Sequence, residues 1–175
     1  MRVFVAYVID DHIKAQISEI QQLLKPIYTN GRFKPIKNMH MTLKFIGEIS
    51  NEQFNKLSNE IETVIVHYKP LTVELNQLGV FGNATRNHTL WMGCQSDPLM
   101  IKLSEELAAC ASAAGISINN TPFVPHITLA QHGILSESLP KINGLTARLD
   151  QVCIFLSSRV EGELIYQPLK CWQLQ

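Results

Sequence analysis

A chain that repeats itself has few ways to fold, and this one repeats in two places. The letters HMTLK at residues 40–44 return as HITLA at 126–130. LTVELNQLGVF at 71–81 returns as LTARLDQVCIF at 145–155, with five of eleven positions identical. The first motif lies as far from Phe4 as the second lies from Leu90. Two echoes and one matching separation point to an internal duplication, with one repeat over about 3–81 and a second over about 88–155. Such a pair predicts an α+β fold of two lobes related by an approximate two-fold axis. Each lobe is a small, mostly antiparallel sheet with outer helices, and the two enclose a central cleft as one domain over 1–175.

Local patterns agree with that plan. VFVAYVI (3–9) is β-branched and aromatic, as a buried strand requires. The next stretch carries Ile13, Ile17, Ile20 and Leu24 on a helical period and ends at Pro26. A polar loop, TNGRFKPIKN, leads to the first motif. In the second repeat HTLWMGC (88–94) reads as a strand. DPLMIKLSEELAACASAAG follows as a helix, with Asp97 as N-cap, Pro98 in the first turn and Gly115 at the C-terminus. Between motif and echo the copies differ. SNEQFNKLSNEIETVIVHY predicts an amphipathic helix with a Ser50/Gln53 capping box, whereas GILSESLPKING has room only for a turn or short helix.

The repeated letters carry chemistry because strand residues alternate faces. His40 and Thr42 share one face and Met41 and Leu43 the other; His126 and Thr128 likewise oppose Ile127 and Leu129. The apolar pairs belong to a core, so the His/Thr pairs look into something polar. Two lobes facing each other then offer two imidazoles and two hydroxyls to one cleft. One neutral imidazole can take a proton from water while the other, protonated, gives one to a departing oxygen. The hydroxyls can donate to the oxygens of a phosphoryl group. No metal or cofactor is needed for this. With six histidines and nine threonines in 175 residues, chance predicts about 0.3 HxT matches. Two, at equivalent places in a repeat, are a specific signal.

Charge limits the partner. Lys plus Arg and Asp plus Glu number 15 each, so no overall field holds a long polyanion, and a nucleic acid would enter by its end or as a short piece. The 46% hydrophobic content argues for a packed globule rather than disorder. The N-terminal apolar run is too short to span a membrane, and a cytoplasmic protein is expected, with no membrane or obligate protein partner and nothing demanding more than a monomer. Cys94, Cys110, Cys153 and Cys171 are widely spaced and lack CxxC pairs, which predicts reduced, mostly buried thiols.

On MHMTLKFIGEIS, GVFGNATRNHTLWMGC, PFVPHITLA and FLSSRVEGELIYQPL, the sequence resembles the two-histidine phosphoesterase superfamily. Within it the chain is similar to the bacterial and archaeal RNA 2′,3′-cyclic phosphodiesterases, also called LigT-like proteins or 2′–5′ RNA ligases. The resemblance implies metal-independent hydrolysis of RNA 2′,3′-cyclic phosphate ends, or of small cyclic-phosphate nucleotides, to 2′-phosphomonoesters. It implies that His40 is the proton donor to the 3′ oxygen, that His126 is the base, and that Thr42 and Thr128 bind phosphate. The rival readings are 2′–5′ ligation, 2′–5′ oligonucleotide hydrolysis, and a binding module without catalysis. Where the family often carries an arginine, this chain has Gln131, which can hydrogen-bond but brings no charge.

Further RNA contacts are sought among residues near the motifs. Strict alternation places Lys44 on the His40 face. Arg32, Lys34 and Lys37 form a basic loop that either steers RNA or is simply solvated, with Arg86 and Arg159 as similar loop candidates. Phe81 either packs in the core or stacks on a base. Trp91, which the repeat aligns with Val5, reads as core, and Tyr166 as structural.

Overall fold

The computed structural model describes the chain apart from residues 84, 85 and 120 and the side chains of residues 83, 86 and 87. The elements run β1 (Arg2–Val8), α1 (Asp11–Leu24), β2 (Tyr28–Thr29), β3 (Arg32–Phe33), β4 (His40–Glu48), α2 (Asn51–Ile65), β5 (Leu71–Leu75), β6 (Gln77–Asn83) and β7 (Arg86–Gly93). They continue with α3 (Pro98–Ala113), β8 (His126–Leu135), β9 (Leu145–Leu149), β10 (Gln151–Val160) and β11 (Glu163–Gln173). The fold is α+β with antiparallel sheets. One sheet has the strand order β11-β10-β1-β4-β8-β7-β6, with β2 and β3 added along β8, and β5 pairs with β9 separately.

The helices form where the sequence periods place them. Ile13, Ile17, Ile20 and Leu24 are the buried stripe of α1. The α2 start carries the complete capping box: the Gln53 backbone N–H donates to Ser50 Oγ, and the Ser50 N–H donates to the Gln53 side chain. Asp97 caps α3 by accepting from the Leu99 N–H at 2.7 Å. Gly115 takes φ +71° just past its end, the left-handed turn that favours glycine. The GILSESLPKING stretch continues β8 to Leu135 and then runs without a helix to residue 144.

The two halves exchange strands. β6, from the first half, pairs with β7; β10, from the second, pairs with β1. Strands from both halves of the sequence therefore interleave in one sheet. The only β4–β8 register pair is Met41 opposite Ile127, and β5–β9 centres on Val73 opposite Ala147. In both cases the partners are residues that the sequence echoes make equivalent. The helices also reach across: Gln21 of α1 donates to the Leu129 carbonyl of β8, and Ser104 of α3 donates to the Leu43 carbonyl of β4. One continuous buried cluster, including Val5, Tyr7, Met41, Leu57, Leu103, Ile127 and Leu149, fills the helix side of the sheet. Among the described residues no helix is long and apolar enough to cross a membrane.

The structure corrects the cysteine expectation. Cys94 and Cys110 are free and buried, but Cys153 and Cys171 form a disulfide. The β10–β11 hairpin turns through Glu161 and Gly162, both at positive φ, and its register sets Cys153 directly opposite Cys171. Sequence spacing carried no sign of this. Only the hairpin register brings the two sulfurs together.

Candidate active site

The single β4–β8 pair organises the site. With Met41 opposite Ile127 in antiparallel strands, His40 falls across from Thr128 and Thr42 across from His126. Neighbouring strands lie ~4.8 Å apart, so each histidine of one motif sits beside the threonine of the other. Met41 and Ile127 are fully buried on the helix side, which turns both His/Thr pairs to the opposite face. Both strands then bulge at the same place. The β1 ladder passes from Thr42 to Lys44, skipping Leu43, and the β7 ladder passes from Thr128 to Ala130, skipping Leu129.

Each imidazole is fixed by its own backbone. His40 Nδ1 lies 2.7 Å from the Asn38 carbonyl, and His126 Nδ1 lies 2.7 Å from the Val124 carbonyl. A carbonyl oxygen only accepts, so each Nδ1 carries the hydrogen and Nε2 is the nitrogen left for chemistry. Aromatic rings hold the planes. Phe4 lies 4.7 Å from His40 and Tyr166 meets it edge-on at 5.0 Å; Phe81 meets His126 edge-on at 4.9 Å, with Trp91 at 6.3 Å. Burial disfavours the charged ring and pushes His40 down to about 4, with Lys34, His126 and Lys14 adding repulsion against the Asn38 hydrogen bond. Burial also lowers His126, opposed by the bond to Val124. At neutral pH the free protein therefore holds His40 as a base.

Trp91 does not join the core. The register sets it opposite Thr128 as Ala6 is opposite Thr42, so its true counterpart is Ala6 rather than Val5. A one-residue slip in a strand exchanges faces, and here it moves the indole from core to site. Gly79 makes this possible, since a Cβ there would come 2.2 Å from the Trp91 ring. Phe81 stacks on Trp91 at 5.2 Å and is 37% exposed. It belongs to the site wall rather than the core.

Lys44 is likewise displaced from the position that strict alternation predicts. The bulge sets it opposite core residue Val5, where it is 6% exposed and near Glu105 of α3. Phe45 takes the outer face in its place and is 68% exposed. Lys44 still lines a cavity of about 540 Å³ beside β4, together with Thr42, Phe45, Asn119, Phe123 and His126. His40 opens into a separate cavity of about 250 Å³ with Lys14, Tyr166 and the Cys153–Cys171 pair.

The basic loop before the first motif is not a uniform wet segment. β3 runs along β8, with Arg32 opposite Gln131, so these two predicted contacts are cross-strand neighbours. The Lys34 N–H donates to the Leu129 carbonyl, which sets this residue beside Thr128. Burial and the Arg159 charge both lower Lys34. Lys37 instead meets Glu163 at 3.3 Å. Lys34 and Tyr166 are thus the site residues that the sequence reading undervalued. For Lys34 the only available signal was its membership of a basic loop. The Arg86 side chain lies outside the described residues.

Comparison with known proteins gives a consistent picture. A family model described as LigT like Phosphoesterase matches residues 8–91. The chain is 30% identical over 146 residues to the RNA 2′,3′-cyclic phosphodiesterase of Escherichia coli, covering 82% of this chain and 80% of that protein. It is 28% identical over 131 residues to the enzyme of the same name from Thermotoga maritima, covering 75% and 70%. The crystal structure of E. coli LigT complexed with 3′-AMP superposes with a TM-score of 0.85 at 28% identity, over 99% of this chain and 97% of that one.

Proposed function

The chain belongs to the LigT-like phosphoesterases, and from that membership we propose that it hydrolyses 2′,3′-cyclic phosphate at RNA 3′ ends to 2′-phosphomonoesters by two-histidine acid/base catalysis. The observation that carries the reading is the crossed arrangement, with each histidine beside the other motif's threonine and each Nδ1 tied to its own backbone. Geometry of this kind suits a tetrahedral phosphorus approached from two sides. Thr42 and Thr128 donate to the non-bridging oxygens, and Lys34 supplies positive charge near Thr128.

In the reaction, His126 Nε2 takes a proton as a water oxygen attacks phosphorus. The bond from phosphorus to O3′ breaks, and O3′ takes a proton from His40 Nε2. The role assignment between the two rings follows the family resemblance. A ring pushed down to about 4 needs help to be an acid at neutral pH, and the substrate provides it. The phosphodiester anion offsets the repulsion from Lys34, Lys14 and His126, so His40 gains its proton as the substrate binds. The pairing of sequence-equivalent residues, Met41 with Ile127 and Val73 with Ala147, also supports reading the chain as two repeats, 3–81 and 88–155, in one domain.

The test is a short RNA ending in a cyclic phosphate, incubated with wild-type protein and with His40→Ala and His126→Ala. The expected product carries its phosphate on the 2′ oxygen, and each variant loses roughly 10²–10⁴-fold in turnover. A 3′-phosphate product, or wild-type turnover by either variant, overturns the proposal.

A further inference from the structure

Hydrolysis of a cyclic phosphate engages one ribose and one phosphorus, yet the cleft face of the sheet continues past them. Phe4 is 3% exposed and forms an aromatic floor, 4.7 Å from the His40 ring on one side and 6.1 Å from the Phe45 ring on the other. Phe45 is thus one ring removed from the reacting centre and stands at the surface. Beyond it opens a cavity of about 470 Å³ lined by Arg2, Phe45, Ser157, Arg159 and Tyr166. Tyr166 also lines the cavity of His40, so the two spaces share a wall.

The charge on this face is uncompensated. Neither Arg2 nor Arg159 is within ion-pair distance of any described carboxylate. Glu48, opposite Arg2 in the ladder, is met instead by the Met1 ammonium at 3.5 Å. Arg159 gives one hydrogen bond, to the Gly162 carbonyl at 3.1 Å, and its other N–H groups have no hydrogen-bond acceptor among the described residues. Lys34 lies in electrostatic reach of both Arg159 and His40, so a cation stands between the reacting centre and the outer cavity. An exposed aromatic ring beside free guanidinium groups is the combination that binds single-stranded nucleic acid: the ring stacks on any base, and the cations hold the linking phosphate.

A strand that ends in a cyclic phosphate leaves the site only through the 5′ oxygen of its last ribose. We infer that the nucleotide immediately 5′ of the reacting one binds on this outer face, with its base on Phe45 and the linking phosphate on Arg159 and Arg2. The preferred substrate is then an RNA strand rather than a free cyclic mononucleotide. This rests on the cyclic-phosphate reading above and specifies the length of substrate the site recognises.

The experiment compares kcat/KM for a 2′,3′-cyclic mononucleotide with that for a dinucleotide of the same terminal base, in wild-type protein, Phe45→Ala and Arg159→Gln. Wild type is expected to favour the dinucleotide by roughly tenfold or more, with a steeper fall in added salt. Both variants are expected to bring the dinucleotide close to the mononucleotide and leave the mononucleotide unchanged. Equal wild-type values for the two substrates, or variants that slow both alike, overturn the inference. If wild type turns over neither substrate, the cyclic-phosphate reading has failed. Binding of a 2′-phosphorylated dinucleotide against its mononucleotide then judges the outer face separately, and equal affinities refute it.

Discussion

Replacing His40 with glutamine isolates the energetic consequence of burying an imidazole in this cleft. The amide has no proton to gain. In wild type, burial and neighbouring cations hold the folded-state ring down to about 4, whereas in the unfolded chain it titrates near ~6.5. Between these values the unfolded state binds more protons, so stability falls as pH falls. The contribution is fully present above the unfolded value and is lost as pH drops through the folded one. Between pH 7 and pH 4.5 the difference amounts to about 2.5 kcal/mol from this ring alone. With a urea m-value of ~2 kcal/mol/M, that is a midpoint shift of about 1 M. Urea unfolding at the two pH values, on wild type and His40→Gln, measures it. All other groups are common to both proteins and cancel, so wild type should lose about 1 M more of its midpoint than the variant. Parallel losses would refute a buried neutral His40, and with it the need for the substrate to bring the proton.

Three other outcomes are expected. Phosphate, as the simplest anion for the site, should raise the titration midpoint of His40 seen by NMR, because an anion between the rings favours the imidazolium against the burial and the repulsion that lower it; an unmoved midpoint contradicts the proposed proton gain. Gly79→Ala should destabilise by about 1–3 kcal/mol and lower turnover, since the new Cβ meets the Trp91 ring that abuts His126; thermal unfolding and kinetics together check this, and an unperturbed protein would mean the indole is placed otherwise. Thiol titration of the denatured, unreduced protein should find two free cysteines, Cys94 and Cys110, and four after reduction; four before reduction would refute the Cys153–Cys171 bond.

The candidate site was legible in the sequence as far as it rests on short-range rules. Alternation along a strand puts His40 with Thr42 and His126 with Thr128. The strands that carry the sequence echoes pair with each other, and helix periods and caps are local as well. Those rules reached the α+β class, the three helices and the common face of each His/Thr pair. They failed where a ladder slips. Leu43 and Leu129 bulge out of register, which buries Lys44 and exposes Phe45, and a one-residue difference in spacing between Ala6–Thr42 and Trp91–Thr128 turns Trp91 toward His126; no local propensity marks either.

Pairing partners are a long-range matter, decided by how whole sheets pack. The Cys153–Cys171 bond, the exchange of β6 and β10 between halves, and the approach of Lys34 to Thr128 all depend on which strands lie side by side. Electrostatics is equally non-local: the residues that lower His40 come from α1, from the loop before β4 and from β8. Sequence by itself determined that each motif's histidine and threonine share a strand face. Only the tertiary structure decided what each face meets, because burial, register and field are properties of neighbours that are distant along the chain.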